Sequence, residues 1–83
     1  MKQQIRLIQA LYYMDKPDTH KLAQCTGMAA SSVKRIIHEL RRDCDMTIDH
    51  VRVKGVHGRV GYFVIRDWGV INQSRFIELY KSE

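Results

Sequence analysis

The chain's only proline, Pro17, is followed by Asp18 and Thr19, and Gly27 comes soon after. Proline lacks a backbone donor and turns the residue before it away from the helical region, while Asp and Thr cap helix starts. Glycine accepts the positive φ of a tight helix-ending turn. Between these two breaks only a short helix fits, about Thr19 to Thr26. Whatever helix precedes Pro17 is thereby joined to whatever follows Gly27 through a small turn-helix-turn unit.

Both neighbours of that unit read as amphipathic helices. From Lys2, the apolar residues Ile5, Ile8, Leu11 and Tyr12 recur at helical steps among Lys2, Gln4, Arg6 and Gln9, and the helix should stop near Asp15 or Lys16. After Gly27, the segment from about Ala30 to Arg42 places Val33, Ile36, Ile37 and Leu40 on one stripe. At about 100° per residue the opposite side carries Ser31, Lys34, Arg35, His38 and Arg42. Arg41 and Arg42 lie at the C-terminal end, where they complement the helix dipole.

Past the acidic turn from Asp43 to Asp45, β-prone residues take over, in one stretch from Ile48 to Val53 and another from Gly61 to Arg66. The pair reads as a hairpin. Apolar positions change parity between Ile48 and Val51, which leaves two readings: a strand starting only near His50, or a bulge that shifts the register. The connection from Lys54 to Gly61 holds Gly55, Gly58 and Gly61 and exceeds a two-residue turn, so it should project as a loop. Asn72 then caps a last helix, about Gln73 to Lys81, with Ile71 stapled onto Phe76 and an apolar side of Phe76, Ile77 and Tyr80. Trp68, Tyr62 and Phe63 read as packing aromatics in preference to base-stacking ones. The fold class expected is α+β: three helices, a two-stranded hairpin and a C-terminal helix.

With 83 residues the chain makes one domain, and 45% hydrophobic against 28% charged residues sets it apart from disordered compositions. A chain this short buries roughly 60% of its unfolded surface, which disfavours a roomy internal cleft. No paired-carboxylate, Ser/His/Asp or Cys/His spacing suggests catalysis, and Asp43, Asp45 and Asp49 read as turn and loop acids, so an enzyme is not expected. His20, His38, His50 and His57 with Cys25 and Cys44 show no structural-zinc spacing; neither metal nor cofactor is expected. Apolar runs of about four residues, such as Tyr62 to Ile65, are far too short to span a bilayer. Two cysteines outside a CxxC, and a start at Met1 to Arg6 without the apolar core of a signal peptide, point to a reduced, cytoplasmic setting. The net charge of +5, from 14 Lys and Arg against 9 Asp and Glu, favours a polyanionic partner.

The order of elements resembles a winged helix-turn-helix. From about Ile5 to Ile65 the chain is similar to the helix-turn-helix domain of the biotin-repressor and DeoR-type family of prokaryotic regulators. The matching stretches are Leu22-Ala-Gln-Cys-Thr-Gly-Met28, Val33-Lys-Arg-Ile-Ile-His-Glu-Leu-Arg41, and Gly61-Tyr62 opening the last strand. The resemblance divides the single domain into a helix-turn-helix and wing over residues 1–66 and a C-terminal helical extension over 67–83. Where the family has a Ser or Thr cap before its recognition helix, this chain has Ala29. Two starts follow, at Ala30 or one or two residues later around Ser31.

The resemblance implies a small DNA-binding transcriptional regulator of prokaryotic or mobile-element type, with the third helix in the major groove of double-stranded DNA. Base edges would be read by Ser31, Ser32, Lys34, Arg35 and His38. Phosphates would be met by Thr19, His20, Lys21 and Arg42, and by the wing residues Lys54, His57 and Arg59 at the backbone or in the minor groove. Helix-turn-helix proteins are often symmetric dimers, and Phe76, Ile77 and Tyr80 offer a surface for a second copy as well as a cover for the first helix. The competing reading is a winged helix that binds a protein partner and no DNA.

Overall fold

The computed structural model describes residues 2–53 and 60–80. The first amphipathic segment forms α1 (Lys2–Tyr13), which buries Leu7, Ile8, Ala10 and Leu11. It ends sooner than the spacing predicts. Met14 still donates to the Ala10 carbonyl at 3.0 Å, but Lys16 then takes a left-handed conformation (φ 47°), and the chain turns into a buried Pro17.

Asp18 caps α2 (Thr19–Thr26), its carboxylate accepting from the Lys21 N–H at 2.7 Å. Gly27 closes the helix in the left-handed region (φ 72°), its N–H donating to the Ala23 carbonyl. Buried Thr26 secures the turn: its hydroxyl donates to the Leu22 carbonyl at 2.6 Å and accepts the Met28 N–H at 3.4 Å. The basic segment forms α3 (Ala30–Asp43), which begins at Ala30, the earlier of the two expected starts. Ala29 stands at its N-cap without a side-chain hydrogen bond.

Val33, Ile36, Ile37 and Leu40 of α3 meet Leu7, Ile8, Leu11 and Leu22 in one core, which Met46, Ile48 and Phe76 close. Asp45, in the left-handed region (φ 55°), lets the chain leave α3 for the sheet. The hairpin pairs β1 (Thr47–Val53) antiparallel with β2 (Val60–Asp67). Thr47 faces Asp67 while Ile48 faces Ile65, so Arg66 is the extra residue of a bulge. From Ile48 to Val53 the register is unbroken. The parity change therefore needs neither a late strand start nor a bulge between Ile48 and Val51. Buried Ile48 faces the helices and half-buried Val51 lies on the sheet's other face.

The α1–α2 connection braces the sheet through the Phe63 N–H, which donates to the Pro17 carbonyl at 2.8 Å. Asn72 caps α4 (Gln73–Leu79) by accepting the Arg75 N–H at 3.0 Å, and Ile71 lines the same crevice as Phe76. This helix ends at Leu79, with Tyr80 as its cap, short of the expected end; Lys81 lies outside the described residues. Among the described residues the architecture is α+β, four helices and one two-stranded antiparallel hairpin.

Candidate nucleic-acid interface

The α3 stripe that builds the core dictates what its other side shows. With Val33, Ile36, Ile37 and Leu40 buried, Ser31, Lys34, Arg35, His38 and Arg42 are all exposed, as the 100° spacing requires. Ser32 is half-buried on the flank. The small serines stand in the first turn and the long basic side chains further along, so this side is narrow at its N-terminal end.

Two of its cations are engaged. Arg35 donates from Nη1 to Glu39 Oε1 at 2.9 Å, one helical turn away, and Gln4 of α1 reaches Glu39 Oε2 at 3.3 Å. Arg42 grips the carboxylate of its neighbour Asp43 through Nε at 2.8 Å and Nη2 at 3.2 Å. That hydrogen bond, reinforced by the charge, holds the Asp43 carboxyl below its ordinary range and raises the Arg42 guanidinium above its own. Both pairs stand in solvent, where ion pairs contribute little to stability and are readily exchanged for another anion. Lys34 makes no hydrogen bond or ion pair among the described residues.

Around α3, His20 and Lys21 are exposed at the start of α2, and Thr19 is half-buried there. Lys54, His57 and Arg59 lie outside the described residues. Arg41 is a basic residue of α3 that the sequence reading assigned only to the helix dipole. Its guanidinium donates from Nε to the Ile48 carbonyl at 3.0 Å, and from Nη2 as well, tying α3 to β1. Only its position beside the buried stripe hinted that it borders the sheet.

The closing helix leaves this surface clear. Phe76 and Tyr80 share a crevice with Gln4, Ile5, Ile8, Leu40, Cys44 and Ile71, which puts α4 over α1 and the core-facing edge of α3. Gln9 of α1 donates to the Tyr80 carbonyl at 3.1 Å on the same side. The Arg35 side chain remains 56% exposed and His38 is exposed. Of the residues offered to a second copy, Phe76 belongs to the chain's own core, while Ile77 and Tyr80 are half-buried. Exposed apolar side chains are Leu79 of α4, at 61%, and Val70 of the turn that precedes it, at 75%. Trp68 packs at 5.5 Å from Phe76 and 5.7 Å from Tyr12, and Phe63 also lies against the core.

Among the described residues no three His, Cys, Asp or Glu side chains converge on a common point, and no helix is long and apolar enough to cross a membrane. Cys25 is exposed and Cys44 half-buried, both free. No family model, curated protein or solved structure matches the chain.

Proposed function

We propose that the chain is a winged helix-turn-helix that binds double-stranded DNA as a small transcriptional regulator, with α3 in the major groove. The observation that carries this reading is the outward side of α3. It is basic along most of its length, small in its first turn, and uncovered by α4. The side chains standing there, Ser31, Lys34, Arg35 and His38, suit base edges, with Ser32 at the flank; Arg and Lys pair with guanine O6 and N7, and serine is permissive. His20, Lys21 and Arg42, with Thr19, would meet phosphates, as would Lys54, His57 and Arg59 from outside the described residues.

Fluorescence anisotropy with random and selected duplexes at about 50 mM salt, where electrostatic binding is strong, tests it. Binding should weaken steeply with salt. Lys34→Ala combined with Arg35→Ala should cost about 1–3 kcal/mol per lost base contact and relax specificity. Undetectable duplex binding at that salt would sink the proposal.

Exposed Val70 and Leu79 favour a second reading, in which the α4 side receives a protein, including another copy of this chain. A partner retained by the Lys34→Ala, Arg35→Ala double variant, together with absence of DNA affinity, would make that the principal role.

A further inference from the structure

Arg41 and β1 together build a feature that the proposed groove contacts do not use. On α3, Arg41 lies between buried Ile37 and exposed Lys34, with His38 one turn before it. The Ile48 carbonyl fixes one edge of its guanidinium, which leaves the remainder of its five N–H donors without a partner among the described residues.

The neighbouring edge of β1 contributes a main-chain donor. The Phe63 N–H points away from β1, because it reaches the Pro17 carbonyl. In an antiparallel ladder, directly opposed residues either exchange both bonds or turn both outward, and the residue opposite Phe63 is His50. The His50 N–H therefore faces the open edge of β1, on the side where the Ile48 carbonyl meets Arg41. The His50 ring rests on Phe63 at a centroid distance of 4.9 Å and lies over Gly61, where a Cβ would come within 2.6 Å of it. Its position is set by a packing partner and by the missing side chain beneath.

Arg41, Met46, Thr47, Ile48, Asp49 and His50 line an open cleft of about 450 Å3 between α3 and this edge. Its one carboxylate, Asp49, is taken by Arg66 at 3.2 Å. The free N–H groups of a fixed guanidinium and the outward His50 main-chain N–H suit a tetrahedral oxyanion, and arginine binds phosphate oxygens two at a time.

We infer that the cleft between α3 and β1 is a phosphate-binding site held by the Arg41 guanidinium and the His50 main-chain N–H. On the reading that α3 enters DNA, it takes a backbone phosphate beside the groove. The same chemistry would admit free phosphate, so two arms are needed. In the first, binding of a random-sequence duplex is followed against salt by anisotropy for the wild type, Arg41→Gln and Arg41→Lys. Glutamine still has an N–H for the Ile48 carbonyl but no charge, so the log–log salt slope should fall by about one unit; lysine should restore it. A wild-type slope in Arg41→Gln, or the same loss in Arg41→Lys as in Arg41→Gln, overturns the inference, since a mere tether would not follow charge. In the second arm, inorganic phosphate is titrated into the protein alone. Saturable shifts of the Arg41 and His50 amide NMR signals support the cleft even if no duplex is bound, which would strike only the DNA reading. Amides unmoved by phosphate in a chain that binds no duplex overturn the cleft itself.

Discussion

Arg42 and Asp43 are adjacent in sequence and paired in space, and the pairing changes what a count of basic residues implies. A phosphate approaching Arg42 must displace a carboxylate already bound to it. Asp43→Asn is expected to free the guanidinium, tightening duplex binding at low salt and steepening the salt slope, as anisotropy would register. The same pair sets a direction for pH. Asp43 has a folded value lowered by Arg42, so its contribution is present above the ordinary carboxylate range, near 3.9, and lost as pH falls through the lower folded value. In an NMR titration, Arg42→Gln should move the Asp43 midpoint upward; an unchanged midpoint would show that the pair does not form in solution. Glycines separate just as sharply. Gly27 and Gly69 both have positive φ, but a Cβ at Gly27 would meet open space, whereas at Gly69 it would fall about 2.1 Å from the Cys44 carbonyl oxygen. Gly27→Ala should cost about 1–2 kcal/mol from conformation alone, and Gly69→Ala about 3 kcal/mol or more, because the β2–α4 turn must also lift off the α3–β1 turn. Urea unfolding would rank the two.

Among the elements, α3 has the most regular pattern and the weakest start. Its stripe and its outward side follow from periodicity, which is why the exposed residues of that side are legible in the sequence. Ala29 offers no side chain to the first free N–H groups, and it is exposed, so a polar replacement meets no packing cost. Ala29→Asp is expected to stabilise the domain by about 1 kcal/mol in urea unfolding, through the cap and the helix dipole. A gain restricted to Ala29→Asp, absent from Ala29→Ser, would assign it to charge alone. Strand existence was equally plain from β-prone composition, but the bulge at Arg66 was not. Placement of an extra residue depends on which face the helices cover, and that is a property of the packed sheet. The stop of α1 at Tyr13 was missed for a similar reason: the turn through Lys16 brings the Pro17 carbonyl to the Phe63 N–H, a bond between segments far apart in sequence.

For the whole molecule, α4 decides which side is covered and which stays open. Phe76 fills the core while Leu79 stands in solvent, so the two positions should behave oppositely. Phe76→Ala should remove about 3–5 kcal/mol, a large share of the roughly 5–15 kcal/mol that holds a domain of this kind, and a thermal melt would show it. Leu79→Glu should leave the melt nearly unchanged, and sedimentation equilibrium would reveal a dimer built on that side by its loss. The chain's own order of residues determined the helical segments, the caps at Asp18 and Asn72, the turn at Gly27 and the charge lined along α3, because each depends on neighbours within a few positions. Tertiary structure alone decided that Arg41 crosses to β1, that Phe76 turns inward and that Gly69 sits beneath a carbonyl. Those depend on which distant segments come to share a surface, and local spacing carries no record of that.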